Sequence, residues 1–243
     1  LVLRAVLWHT IQMVTKLSQI PHAESIERAL EGGRLAQLIE DNIDTSEYQG
    51  PAPYPLEYRL ARPLGPGELE VAEGVVHGKS YAAIIADRPN PMPDDGIYNE
   101  KAIPVALRRV REAVGLPGLP KGRRAQLARH LFCLGLITPS EQEKSERYLP
   151  PTSNVVLGLL SHGSTQEEIE EMTGIELKNK LPRIYKLTGG ISDNFLGGPT
   201  LAAVTAAFDR GIFSTTPDMV MPPEYLLFTV PHLLRLDRLQ EPA

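Results

Sequence analysis

Two stretches of this chain are copies of one another, and no other feature of the sequence restricts the fold as tightly. Leu64 to Gly78 aligns without a gap on Leu149 to Gly163, so that Leu64 meets Leu149, Pro66 meets Pro151, Val71 meets Val156, and His77-Gly78 meets His162-Gly163. After a gapped middle, Leu107-Arg108-Arg109-Val110 pairs with Leu181-Pro182-Arg183-Ile184, Gly115 with Gly189, and Leu134-Gly135-Leu136-Ile137 with Arg210-Gly211-Ile212-Phe213. Self-similarity in a constant order means that one supersecondary unit is built twice. The units run from 63 to 137 and from 148 to 213, joined by a polar linker at 138–147.

Each unit reads as helices. Apolar residues recur at three and four in Ile26 to Ile43, Leu69 to Val76, Ile103 to Val114, Val155 to Leu160 and Leu201 to Phe208, whereas strand-like alternation is scarce. Pro and Gly punctuate these runs, for example at Pro89 to Gly96, Gly115 to Gly122 and Gly197 to Pro199. The order within a unit is helix, His-Gly turn, short helix, turn, longer basic helix, Gly, and an apolar helix. Four such helices bury a small core and leave the outer face of the third free to enter a major groove. The expected fold is therefore all-α, with a helical N-terminal segment at 1–62 and an apolar C-terminal helix at 214–243. The stretch Ile20 to Glu47 is amphipathic, and Tyr225 to Phe228 and Leu233-Leu234 are strongly apolar. Either terminal segment is available to pair two protomers in a homodimer or to cover the core of its own chain.

Several function classes drop out. Cys133, the single cysteine, excludes an intramolecular disulfide and a cysteine-rich zinc site. No run approaches the roughly 18 apolar residues of a membrane span. Leu1 to Leu7 is interrupted by Arg4 and carries no secretory signal, which points to the cytoplasm and away from membranes. Gly78-Lys79-Ser80 ends like a phosphate-binding loop, but Glu73 stands where that motif needs its first glycine. His77 and His162 recur at matching turns, which suits capping or packing better than metal binding. Spacing supports no Ser-His-Asp or Cys-His arrangement, so no catalytic residue, metal ligand or cofactor is expected, and the chain is read as a non-enzyme.

The net charge of −5 argues at first against nucleic acid, whose phosphates must be neutralised by Lys and Arg. The distribution reverses that argument. Between Asn99 and Arg129 eight Lys and Arg stand against two Glu, a local balance of +6, and the rest of the chain is correspondingly acidic. A concentrated basic segment can dock on DNA if it forms one face.

The residues around that segment resemble a known pattern. Leu64-x-Pro66-x-Glu68-Leu69-Glu70-Val71-x-x-x-Val75-x-x-Gly78 is similar to the opening of the LuxR-type helix-turn-helix domain, a member of the winged-helix-like superfamily. Asn99-Glu100-Lys101-Ala102-Ile103-x-x-x-Leu107-x-Arg109-Val110 resembles that family's recognition helix, with Asn99 at the N-cap. Arg183-Ile184-Tyr185-Lys186 before Gly189 is similar to the end of the same helix in the second unit.

The resemblance implies two diverged tandem LuxR-type units and a transcriptional regulator that binds double-stranded DNA. It directs Lys101, Ala102, Val105 and Arg108 toward base edges and phosphates. Arg and Lys suit guanine or phosphate oxygens, while Ala and Val offer apolar contact to a thymine methyl. Ile103, Leu107 and Val110 recur on the core side, with Arg109 and Arg111 flanking them. Lys121, Arg123 and Arg124 open the fourth helix and suit phosphate contact. The equivalent set in the second unit is Lys178, Lys180, Arg183 and Lys186, opposed by Glu167, Glu168, Glu170, Glu171 and Glu176.

Two departures from the family pattern matter. An insertion spans Pro89 to Gly96 in the first unit, and Pro182 falls inside the expected recognition helix of the second, where it predicts a kink costing about 3 kcal/mol. The first unit should thus dominate DNA binding. A protein-interaction module on a degenerate scaffold of the same kind is the alternative that Pro182 and the acidic second unit favour.

Overall fold

The computed structural model describes residues 39, 43–52, 54–55, 58–89, 94–116, 123–140, 149–189, 195, 197–215, 219–220, 225, 228–229, 232–233 and 235. Among the described residues are eight α-helices: α1 (Pro66–Val76), α2 (Tyr81–Ala86), α3 (Ile103–Ala113), α4 (Arg124–Cys133), α5 (Pro151–Ser161), α6 (Gln166–Thr173), α7 (Leu181–Thr188) and α8 (Pro199–Asp209). A 3-10 turn at Glu100–Ala102 leads into α3, and two short strands, β1 (Tyr54–Pro55) and β2 (Met219–Val220), pair antiparallel. The architecture is all-α, as the apolar spacing predicts. The strand pair is two residues long on each side, too short to carry an alternating pattern.

Helix starts follow from local chemistry. Proline occupies the first turn of α1, α3, α5, α7 and α8, where its missing N–H removes a donor that would have no partner within the helix. Ser80 caps α2 by accepting from the Ala83 amide at 3.0 Å, and Thr165 caps α6 by accepting from the Glu168 amide at 3.2 Å. Glu168 closes a capping box by accepting from the Thr165 amide at 2.7 Å. The register of the repeat pairs Ser80 with Thr165. Helix ends match too: Gly115 and Gly189, after α3 and α7, hold φ of +77° and +76°, which a side chain would strain.

The two sets of four helices meet through their fourth members. α8 packs on α4, while α4 also rests on α5 and α8 on α1. Extending the repeat register backwards from Leu134 and Arg210 pairs Phe132 with Phe208. Those two rings are buried and stack on each other, with centroids 4.5 Å apart and planes 20° from parallel. Reciprocal bonds flank them. Arg129 Nη1 donates to Ser161 Oγ at 2.9 Å, and Thr205 Oγ1 donates to the Val76 carbonyl at 2.9 Å. In the repeat register Arg129 corresponds to Thr205, and Ser161 to Val76. An equivalent residue on its own axis and reciprocal contacts on either side are the marks of an isologous, two-fold contact, formed here within one chain.

Two sequence expectations change, and a third lies mostly outside the described residues. Arg129 was counted in the basic surface, but it is 1% exposed: its guanidinium bonds Ser161 and lies 5.4 Å from the centroid of the Phe213 ring. Pro182 does not kink a helix. It sits in the first turn of α7, which starts at Leu181 and runs eight residues against eleven for α3, so the proline shortens the helix instead. The expected amphipathic helix of Ile20 to Glu47 lies outside the described residues, except for Ile39 and 43–47. Ile39, Ile43, Tyr225 and Leu233 are buried in the chain's own core, and Tyr48 stands edge-on to Tyr225 at 4.9 Å.

Candidate nucleic-acid interface

The approach to α3 is fixed by Asn99, whose Oδ1 accepts from the Lys101 amide at 2.9 Å and caps the entering turn. Ile103, Ala106, Leu107, Val110 and Ala113 then turn inward, with α1 the main helix packed against α3. What remains outside is a ridge of Lys101, Val105, Arg108 and Glu112, which a rotation of about 100° per residue places nearly in line. Val105 is 42% exposed and gives the ridge an apolar spot. Ala102 is half-buried at the foot of the ridge.

Arg108 and Glu112 form an ion pair at 3.8 Å with both side chains more than half exposed. Such a pair contributes about 0–1 kcal/mol and yields easily to a phosphate. The sequence reading had missed Glu112 as part of this ridge. It was legible, because i and i+4 share a helix face.

The neighbours of the ridge differ on its two sides. On one side, Arg62 donates to the Arg109 backbone carbonyl at 3.1 Å and, through both terminal nitrogens, to Glu68 of α1 at 2.8 Å. The Arg62 guanidinium holds the Glu68 carboxyl below its ordinary value, and Glu68 also accepts from the Gly65 amide at 3.0 Å to cap α1. On the other side, Arg111 joins Arg123 and Arg124, at the head of α4, among the residues that line a cavity of about 220 Å³. Lys121 lies outside the described residues.

The insertion at Pro89 to Gly96 is tied back to α1 on its described residues. Arg88, its side chain 1% exposed, pairs with Asp95 and lies 3.2 Å from Glu70. Burial opposes ionisation of Asp95, but the Ile97 amide and Arg88 outweigh it and hold the carboxyl below its ordinary value. A Cβ on Gly67 would collide with the Asp95 carboxylate, so this glycine admits the insertion against the first turn of α1.

In the second set, Lys178 and Lys180 lie in the turn before α7, while Arg183 and Lys186 lie on the helix, all four exposed. Glu170 stitches the turn by accepting from the Leu177 amide at 2.8 Å, a bond that holds its carboxyl below the ordinary value. His77 and His162 stand at the C-caps of α1 and α5, with His77 Nδ1 2.9 Å from the Glu73 carbonyl oxygen. Among the described residues no three His, Cys, Asp or Glu converge as a metal site, and no helix is long and apolar enough to cross a membrane.

No family model, curated protein or solved structure matches the chain.

Proposed function

We propose that the chain is a DNA-binding transcriptional regulator built from two tandem helix-turn-helix units of LuxR type, with α3 as the main recognition helix. One observation carries the reading. An amphipathic helix, capped by Asn99 and anchored on α1, presents Lys101, Val105 and Arg108 on one ridge, with Arg109 on one flank and Arg111, Arg123 and Arg124 on the other. Cations beside the ridge suit phosphates, and Arg108 with Val105 suits base edges.

The two-fold contact of α4 with α8 supports a further element of this reading. One chain supplies both halves of a paired reader, so one chain per duplex is expected, with half-sites about one helical turn apart. Lys178, Lys180, Arg183 and Lys186 would serve the weaker half. Pairing of two chains through the terminal segments is less favoured, because their described apolar residues are already buried within the chain.

The protein-interaction alternative has one observation in its favour: Glu112 on the ridge and the exposed carboxylates of α6, Glu167 and Glu171, dilute the positive face. Selection of duplexes from a random pool separates the two. The DNA reading expects a preferred sequence whose affinity falls about 10³-fold or more between 50 and 200 mM salt if six or more phosphates are engaged. Absence of any enriched sequence, with binding no stronger than to bulk DNA, supports the alternative.

A further inference from the structure

Helix stability does not explain Glu112 on the recognition ridge. It lies in the last turn of α3, where the helix dipole disfavours a carboxylate. Its ion pair with Arg108 runs in the less favourable direction, with the cation four residues before the anion, and both side chains are more than half exposed. Arg62 also feels its charge, but the Arg62 guanidinium bonds to Glu68 and to the Arg109 carbonyl. A carboxylate here also repels the phosphates of any duplex that the neighbouring cations attract.

At the matching positions the second half lacks both members of the pair. The register that sets Gly115 against Gly189 also aligns the entry caps: Asn99 Oδ1 accepts from the Lys101 amide at 2.9 Å, and Thr173 Oγ1 accepts from the Ile175 amide at 3.2 Å. It aligns Ile103 with Leu177 and Val110 with Ile184, all four buried. On the exposed face the same register sets Arg108 against Pro182 and Glu112 against Lys186. Pro182 offers no side-chain donor, and Lys186 is a point charge suited to phosphate. The halves thus share an approach and a core but differ in what they can read.

Given the DNA reading above, on which this rests, we propose that Glu112 is a specificity-determining residue. With Arg108 on guanine O6 and N7, Glu112 accepts from a cytosine N4 amino group, so α3 selects a G·C element that the matching positions of α7 do not select. Four residues of helix rise about 6 Å, close to two base-pair steps of about 3.4 Å, so both contacts fall within a few base pairs. In the major groove the carboxylate meets a donor, and along the backbone it meets repulsion. Glu112 therefore lowers affinity for duplex in general and raises discrimination. The bound duplex carries the element once and not as an inverted repeat.

The test uses the full chain and two duplexes: one selected from a random pool, and the same duplex with its required G·C pairs replaced by A·T. Fluorescence anisotropy titrations at fixed salt compare three chains. These are the unaltered chain, Glu112→Lys, which installs the side chain found at the matching position of α7, and Glu171→Lys on α6 as a control for charge. Circular dichroism confirms folding, and Glu112→Gln takes the place of Glu112→Lys should that variant not fold. Glu112→Lys should bind the replaced duplex more tightly while the ratio of affinities between the two duplexes falls tenfold or more. Glu112→Gln should act in the same direction with a smaller tightening, and Glu171→Lys should leave the ratio unchanged. Tightening with loss of the ratio is a result that a merely structural role does not produce. An intact ratio, a weakening on both duplexes, or a selected duplex that carries the element as an inverted repeat or has no required G·C pair overturns the role of Glu112 and leaves the DNA reading standing. If no duplex is preferred or bound, the DNA reading fails and the role of Glu112 with it.

Discussion

The third helices of the two halves begin differently and finish alike, each running into a left-handed glycine, Gly115 or Gly189. α3 is preceded by a capped 3-10 turn, runs eleven residues and carries its charge along one ridge, with a cleft lined in part by arginines beside it. α7 starts at Leu181, runs eight residues, and seals the matching position with the Tyr185 to Thr200 bond. The stacked phenylalanines and reciprocal bonds between α4 and α8 meanwhile treat the halves as near equals. Symmetry is retained where the halves hold each other and relaxed where a partner would dock. That division suits a molecule in which one half reads and both halves position.

The near-symmetry is most exposed at the phenylalanine stack. Phe132→Ala and Phe208→Ala should each destabilise the chain by about 3–5 kcal/mol, the usual cost of emptying a buried aromatic site. Denaturant unfolding should remain one transition in the unaltered chain, because both rings share a core. Two separated transitions, or a large loss from one variant only, would show that the halves fold independently.

A smaller effect sharpens the comparison at the helix ends. Gly115→Ala and Gly189→Ala should each cost about 1–2 kcal/mol, since both glycines hold left-handed backbone. The penalty at Gly189 should be slightly the larger, because a Cβ there meets the Arg210 guanidinium, whereas open space surrounds Gly115. Thermal melts of the two variants read the difference directly.

The smallest effect belongs to the first half alone. Arg62 lowers the folded pKa of Glu68 below its unfolded value, so the stability it contributes is complete above about pH 4.3 and is lost as pH falls through the folded pKa. Arg62 is 42% exposed, and screening holds the contribution under about 1 kcal/mol. Melting curves between pH 7 and pH 3 should therefore converge for the unaltered chain and Glu68→Gln at the acid end. A difference that persists unchanged at pH 3 would mean that Glu68 acts through packing.

Much of this was legible in the sequence, because helical spacing and matched glycines are local signals. Ile103, Leu107 and Val110 could be placed inward from their spacing alone, and their burial follows. Arg129 was misplaced because charge in a sequence does not reveal burial: its destination depends on Ser161, thirty-two residues away, and on the Phe213 ring. Pro182 was misread because a proline's meaning depends on where its helix begins, and the shorter approach in the second half moves that start to Leu181. The arginine-lined cleft joins four helices, and Tyr81 lies 43 residues from Arg124, too far apart for any local pattern to connect them.

The central claim is that α3 reads DNA and α7 assists. After a preferred duplex is selected from a random pool, Arg108→Glu and Arg183→Glu should be titrated against it, with circular dichroism confirming that both variants remain folded. Loss of a contact worth about 1–3 kcal/mol predicts tenfold or greater weakening for Arg108→Glu and a smaller change for Arg183→Glu. Greater damage from Arg183→Glu, or indifference of the complex to Arg108→Glu, would contradict it.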